Sequence, residues 1–151
     1  MPARATTLPK CNPALVVRPG GPADLAAIAT IQAASPEASQ WNPTDYLQYD
    51  LRVAVSGAVI SGFVVLRTLA PGESEILNLA VAPQYRRHGV GRALLATGLR
   101  DFHGAVFLEV RASNHAAQKF YKSLGFQEFS VRPKYYASPE ETGIVMKFHS
   151  C

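Results

Sequence analysis

The sequence predicts an α/β fold, a mixed and mostly antiparallel central sheet with helices on both faces. Three observations predict it. Short apolar runs end at glycine or proline, as strands do. Two of them, 51–55 and 59–66, flank Ser56-Gly57 and read as a hairpin. Between other runs, apolar residues recur at helical spacing. At 151 residues and 48% apolar content, the chain can bury a core of its own. The expected organisation is a loose leader over 1–13, with three prolines and little periodicity, then one domain over 14–150.

The first strand is 15–18, stopped by Pro19-Gly20-Gly21. Pro22-Ala23-Asp24 opens a helix with Leu25, Ile28, Ile31 and Gln32 on its periodic face. A polar, proline-bounded connection over 35–43 carries Trp41, which suits either substrate entry or a half-buried staple. A short second helix follows Pro43, then the hairpin, then a turn over 69–74. Residues 75–81 form the next strand, stopped by Pro83. A long helix runs from Val90 to about Asp101, and Val90, Leu94, Leu95, Leu99 and Phe102 can share its buried face. Gly98 inside that helix costs about 1 kcal/mol relative to alanine, which points to a close neighbour. A strand over 104–110 follows, then a short helix capped at Ser113-Asn114 and ended by Gly125. Two closing strands, 126–131 and 143–148, are joined by 133–140.

The chain is organised around the turn between strand 75–81 and the long helix. Arg86, Arg87, His88, Gly89, Val90 and Gly91 lead into that helix, with Arg92 just inside it. The first amides of a helix have no intrahelical partner, and the helix dipole adds positive charge there. Such an end suits a phosphate or pyrophosphate. A phosphate-loop nucleotide triphosphatase would need Lys and Ser or Thr after the glycines, where Arg92-Ala93 stand. A dinucleotide site has Gly89-Val90-Gly91 and Glu109 in its favour, but Leu94 replaces its third small residue and the turn is long. The pyrophosphate loop of an acyl-coenzyme A site is the third reading. A glycine turn with solvated arginines is the plainest.

The arrangement Arg-x-x-Gly-x-Gly after a strand ending Ala-Val-x-Pro resembles the central motif of the GNAT acetyltransferases. Leu108-Glu109-Val110-Arg111-Ala112-Ser113-Asn114, then Tyr121-Lys122-Ser123-Leu124-Gly125-Phe126 and Tyr135-Tyr136, resemble the region that follows it. Within the family this is similar to the bacterial RimI-type enzymes, which acetylate the N-terminal alanine of a small-subunit ribosomal protein. The similarity runs from Glu75 to about Met146 and is thin before Leu51.

The resemblance implies acetyl-coenzyme A as cosubstrate and no metal. It implies that Leu79, Ala80 and Val81 offer backbone groups to the pantetheine arm. Arg87, His88, Gly89, Val90, Gly91 and Arg92 would surround the pyrophosphate, and Asn114 would bond the pantetheine, though Asn114 also reads as an ordinary helix cap. The acceptor amine must lose a proton; an α-amine, with a pKa near 8, gives one up more readily than a lysine near 10.4. Glu109, ending an apolar strand, is the candidate base, with a salt bridge to Arg111 as the plainer reading and Glu75 as the fallback base. Tyr121 is the candidate donor to the departing thiolate, with a core aromatic as the plainer reading, since Phe120 beside it reads as core. No Gly-x-Ser-x-Gly motif suggests an acyl-enzyme, so direct transfer is expected.

The acceptor this implies is a protein N-terminus, a ribosomal protein favoured. A small amine, a lysine side chain and a non-catalytic coenzyme A-binding role are the rivals. A net charge of +4 fits a small polyanion better than a duplex, because the basic residues are spread rather than striped, so no direct nucleic-acid partner is expected. No run of eighteen apolar residues suggests a membrane span, and no apolar stretch near Met1 suggests secretion, so a cytoplasmic monomer or weak homodimer is expected. Cys11 and Cys151 read as free thiols rather than a disulfide or zinc ligands.

Overall fold

The computed structural model describes residues 15–136 and 140–150; the leader 1–13, Cys11 and Cys151 lie outside them. The chain runs β1 (Leu15–Pro19), a 3-10 turn (Pro22–Asp24), α1 (Leu25–Ala33), a second 3-10 turn (Pro43–Gln48), β2 (Asp50–Ser56), β3 (Val59–Ala70) and β4 (Glu73–Val81). A third 3-10 turn (Pro83–Tyr85) leads to α2 (Val90–Gly98), β5 (Gly104–Arg111), α3 (His115–Ser123), β6 (Gln127–Tyr136) and β7 (Glu141–Ser150). The seven strands make one sheet in the order β1-β2-β3-β4-β5-β7-β6. Only β4 and β5 pair in parallel; every other pair is antiparallel.

Helices cover both faces, as strand alternation requires of a sheet apolar on each side. On one face Ile28 and Ile31 of α1 pack with Val53, Phe63, Val65, Leu77 and Ala80. On the other, Val90, Leu94 and Leu95 of α2 and Tyr121 of α3 pack with Val64, Leu66, Ile76, Val106, Leu108 and Met146.

Several elements differ from their expected extents. β3 runs on to Ala70 and β4 begins at Glu73, so the expected turn 69–74 shrinks to 71–72. The helix after Pro43 is a 3-10 turn. The long helix stops at Gly98, although Leu99 and Phe102 keep the apolar spacing and pack against the same core from beyond its end. Residues 133–136 of the expected connection 133–140 are strand, because β6 continues through Pro133 to Tyr136, and 137–139 lie outside the described residues. β6 is the last strand of the sheet, and an edge strand tolerates the absence of the N–H that proline lacks.

The feature that positions the site is a split in the sheet. The parallel pairing begins at Glu73 and Ala105 and ends at Ile76 and Leu108. Beyond that point β4 stays with β3 up to the Gly62–Val81 pair, while β5 stays with β7 up to the Arg111–Gly143 pair. The cause lies in β4 itself. Its register against β3 skips a residue at Leu77, between the Val65–Asn78 and Leu66–Ile76 pairs, and such a bulge bends a strand. Leu77 packs in the α1-side cluster, and Asn78 bonds to α1, so consecutive residues share one face. Among the described residues, no strand lies on the edge of β4 nearest β5 from Leu77 to Val81.

Candidate active site

The anion loop stands at the mouth of this split. Gly62 in β3 brings α2 close to the sheet: a Cβ there would lie 3.0 Å from both Val90 Cγ1 and the Ala80 carbonyl oxygen. Gly91 admits Phe120 of α3, whose Cζ lies 3.2 Å from where a Cβ would be. Gly89, the N-cap, has φ 81°, and Arg87 is left-handed as well at φ 67°. Left-handed residues alternating with right-handed ones turn successive N–H groups toward one point, an anion nest. No side chain caps the first turn of α2. Arg87, His88 and Gly89 are exposed, and Val90 and Gly91 are buried.

The arginines divide their work. Arg86 turns away from the helix mouth, donating from Nε to the Val81 carbonyl at 3.1 Å and from Nη2 to Ser35 Oγ at 2.9 Å. It ties the end of β4 to the segment after α1. Arg92 reaches toward α3, with Nη2 3.5 Å from Ser123 Oγ. Arg87 is the exposed guanidinium in the nest.

Glu109 and Tyr121 stand on opposite sides of the sheet. Leu108 and Val110 pack with Tyr121, so Glu109 between them projects to the other face. A ligand can touch both only by passing through the split between β4 and β5. Glu109 Oε1 accepts from Arg132 Nη1 at 3.2 Å; Oε2 is buried with no hydrogen-bond partner among the described residues. Burial raises the Glu109 pKa, the charge of Glu75 adds to the rise, and Arg132 opposes it. The Tyr135 hydroxyl is near enough to ease the shift, yet no bond of ordinary geometry joins it to Oε2. The ion-pair partner of Glu109 is therefore Arg132, whereas Arg111 pairs with Glu141 at 3.4 Å. Glu75, on the same face, is in an ion pair with Arg67.

Tyr121 is the buried aromatic of α3, packed edge-on against Phe120 and Phe126 at 5.2 and 5.4 Å between centroids. Phe120, expected as core, is only partly buried, because its ring faces the opening of α2. Burial raises the Tyr121 pKa well above that of a free phenol, so its hydroxyl keeps its proton. Asn114 caps α3, its Oδ1 accepting from Ala117 N at 3.1 Å. Leu79, Ala80 and Val81 lie on the part of β4 that β5 leaves uncovered.

Beside the motif residues Arg111, Tyr135 and Tyr136 stand site residues that carry no motif, Arg132 and Gly143 among them. Arg132 stacks over the Tyr135 ring at 4.0 Å, and Arg111 stacks over Tyr136 at 4.4 Å. Burial and the nearby charge of Glu109 push the Tyr136 pKa up to about 12. A Cβ on Gly143 would stand 3.2 Å from Glu109 Oε2. Behind them a buried network holds the segment after α1: Asn78 Nδ2 donates to the Tyr46 hydroxyl at 2.9 Å and to the Ser39 carbonyl at 3.0 Å. Gln32 Nε2 donates to the Trp41 carbonyl, leaving the Trp41 ring half exposed. The one sequence signal for these was polarity inside apolar patterns, Gln32 in a helix and Asn78 in a strand. Among the described residues no three His, Cys, Asp or Glu side chains gather as a metal site, and no helix is long and apolar enough to cross a membrane.

Comparison with known proteins agrees with this geometry. The ribosomal protein bS18-alanine N-acetyltransferase of Escherichia coli is 42% identical over 80 residues, which are 49% of this chain and 54% of that protein. The chain spans between about a quarter and two thirds of the length of the curated relatives it matches, 54% for the E. coli protein. Ard1 from Thermoplasma volcanium superposes with a TM-score of 0.83 at 28% identity, covering 91% of this chain and 99% of that one. Naa20 of Chaetomium thermophilum, solved with a bisubstrate analogue, superposes with a TM-score of 0.77 at 28% identity, covering 89% and 86%. Residues 25–126 match the profile of the acetyltransferase (GNAT) family. On the motif, the split sheet and that match, this chain belongs to the GNAT family of acetyltransferases.

Proposed function

We propose that the protein transfers an acetyl group from acetyl-coenzyme A directly to the α-amine of a protein N-terminus, with a ribosomal protein beginning in alanine as the favoured acceptor. The observation that carries the reading is the buried, unpartnered oxygen of Glu109 beside the split between β4 and β5. A buried oxygen without a donor is costly, and an incoming N–H would satisfy it. The E. coli relative, which acts on the alanine of ribosomal protein bS18, supports a peptide amine as acceptor.

The residues present fit the cosubstrate. Leu79, Ala80 and Val81 would receive its pantetheine arm as an added strand, and residues 87–92 would hold the pyrophosphate on the uncapped end of α2. Asn114 would meet the arm at the far side. Bound there, acetyl-coenzyme A supplies an activated acyl carbon with a thiolate leaving group. Glu109 takes a proton from the acceptor ammonium, leaving a neutral amine to attack that carbon. Burial aids this step, because it favours the uncharged carboxyl over the carboxylate. As the C–S bond breaks, the Tyr121 hydroxyl offers its hydrogen to the sulfur from the other face of the sheet. Glu75, the fallback base on the same face, is engaged by Arg67 in an ion pair.

The test is release of free thiol from acetyl-coenzyme A against three acceptors at equal concentration. They are a peptide with a free N-terminal alanine, the same peptide Nα-blocked with an internal lysine, and alanine amide. The proposal expects kcat/KM to be greatest for the free N-terminus. Preference for the blocked lysine peptide or the amide assigns another acceptor class, and no thiol release from any of the three contradicts the activity.

A further inference from the structure

Arg132 lies on β6, the last strand of the sheet, and reaches past β7 to Glu109 on β5. Its Nη1 bonds the outer oxygen Oε1 at 3.2 Å, while the inner oxygen Oε2 stays buried without a donor among the described residues. The Arg132 side chain is 54% exposed and that of Glu109 13%, so the guanidinium covers the carboxylate from the solvent side. Its planar group rests on the Tyr135 ring at 4.0 Å, a surface along which it can slide without losing contact.

The other charged and titratable groups around Glu109 are already engaged. Glu75 of β4 pairs with Arg67 of β3. Arg111 of β5 pairs with Glu141 of β7 and stacks on Tyr136 of β6. Tyr135 of β6 carries Arg132 on its ring, and its hydroxyl lies near Glu109 without a bond of ordinary geometry to Oε2. Among the described residues, Arg132 is the cation that sits on the candidate base.

We propose that Arg132 holds the place of the acceptor's ammonium group: it occupies the outer oxygen of Glu109 in the resting protein and is displaced along Tyr135 when the amine arrives. The inference rests on the reading of Glu109 as base and makes Arg132 a positioning residue for it. Three properties support the exchange. A half-exposed ion pair is weakly held, so displacement costs little. Arginine does not lose its proton, so the resting pair cannot neutralise itself by proton transfer. An ammonium ion can: once it replaces the guanidinium and is buried against Glu109, moving one proton from nitrogen to the carboxylate removes both charges. The device thus keeps the carboxylate ionised while it waits, and it favours an acceptor that brings a transferable proton.

The experiment titrates the carboxyl carbon of Glu109 by NMR in the acceptor-free protein, for wild type, Arg132→Gln and Arg132→Lys, and follows kcat/KM against pH for each. Removing the guanidinium should raise the carboxyl midpoint by roughly half a unit to one unit. The acidic limb of kcat/KM should move up with it, and Arg132→Lys should restore most of the shift. Adding the alanine-started peptide to the wild type, with coenzyme A bound, should move the Arg132 guanidinium signals as they leave Glu109. Identical Glu109 titrations in wild type and Arg132→Gln overturn the proposal, as do Arg132 signals unmoved by saturating peptide. The base reading fails separately: full turnover in Glu109→Gln removes it, and the exchange with it, even where the Arg132→Gln shift is present.

Discussion

Gly143 of β7 stands against the unpartnered oxygen of Glu109: a Cβ at position 143 would lie 3.2 Å from Oε2 and equally close to Tyr135 Cδ2. On the proposed mechanism, the space that a side chain would fill is the space an incoming amine needs. Gly143→Ala should therefore push Glu109 or Tyr135 aside by a few tenths of an ångström. A displacement of that size at a reacting group should lower kcat/KM by about tenfold. Overpacking at this one atom should cost no more than about 1 kcal/mol in urea unfolding. Thiol-release kinetics beside an unfolding curve separate the two effects.

Glu109→Gln keeps the shape and removes the base. Turnover should fall about 100-fold or more, while acetyl-coenzyme A affinity, read by calorimetry, stays within about twofold of wild type. In the wild type the acidic limb should lie above the ordinary carboxylate range, because burial raises the Glu109 pKa. The sign is fixed: the active form is ionised, so rate rises with pH through the raised pKa. A limb at the ordinary glutamate value would show that Glu109 is not so desolvated in the working enzyme.

Tyr121→Phe removes one oxygen from a residue whose ring is core, so the variant should fold with little loss. Its kcat should drop about tenfold to 100-fold with unchanged cofactor affinity. Wild-type turnover in this variant would leave Tyr121 a packing residue only.

Arg86 tests the division of labour in the loop. By sequence it is one of three arginines near a pyrophosphate site; in the structure it braces Val81 and Ser35. Arg86→Gln should leave acetyl-coenzyme A affinity within about twofold and raise the acceptor KM about tenfold, the cost of a charged hydrogen bond lost on the acceptor side. A selective loss of cofactor affinity would place Arg86 at the pyrophosphate instead.

These residues also show what the sequence could and could not reveal. Gly98 was legible as a contact point, since glycine inside a helix is costly, and the structure puts Leu66 Cδ1 2.6 Å from where its Cβ would be. The end of that helix was not, because Leu99 and Phe102 continue the helical spacing after the backbone has turned away. β6 was cut short at Pro133, whose missing N–H matters only in an interior strand. The anion loop and Glu109 were legible because each is a local pattern. Arg132 was not: it meets Glu109 across an intervening strand, in a register set by two irregularities of β6 against β7, at 128–130 and 132–136. The split between β4 and β5 depends likewise on a bulge at Leu77 that an apolar run does not disclose.

The central claim is that acetyl-coenzyme A enters the opening between β4 and β5, with its pyrophosphate on the first turn of α2. Amide NMR of the full chain, titrated with acetyl-coenzyme A, tests it most directly. The account predicts that the amides of Leu79, Ala80, Val81 and residues 87–92 shift together at one saturating concentration, while those of β1 and β2 do not. Saturation that leaves both sets of amides unmoved would contradict it.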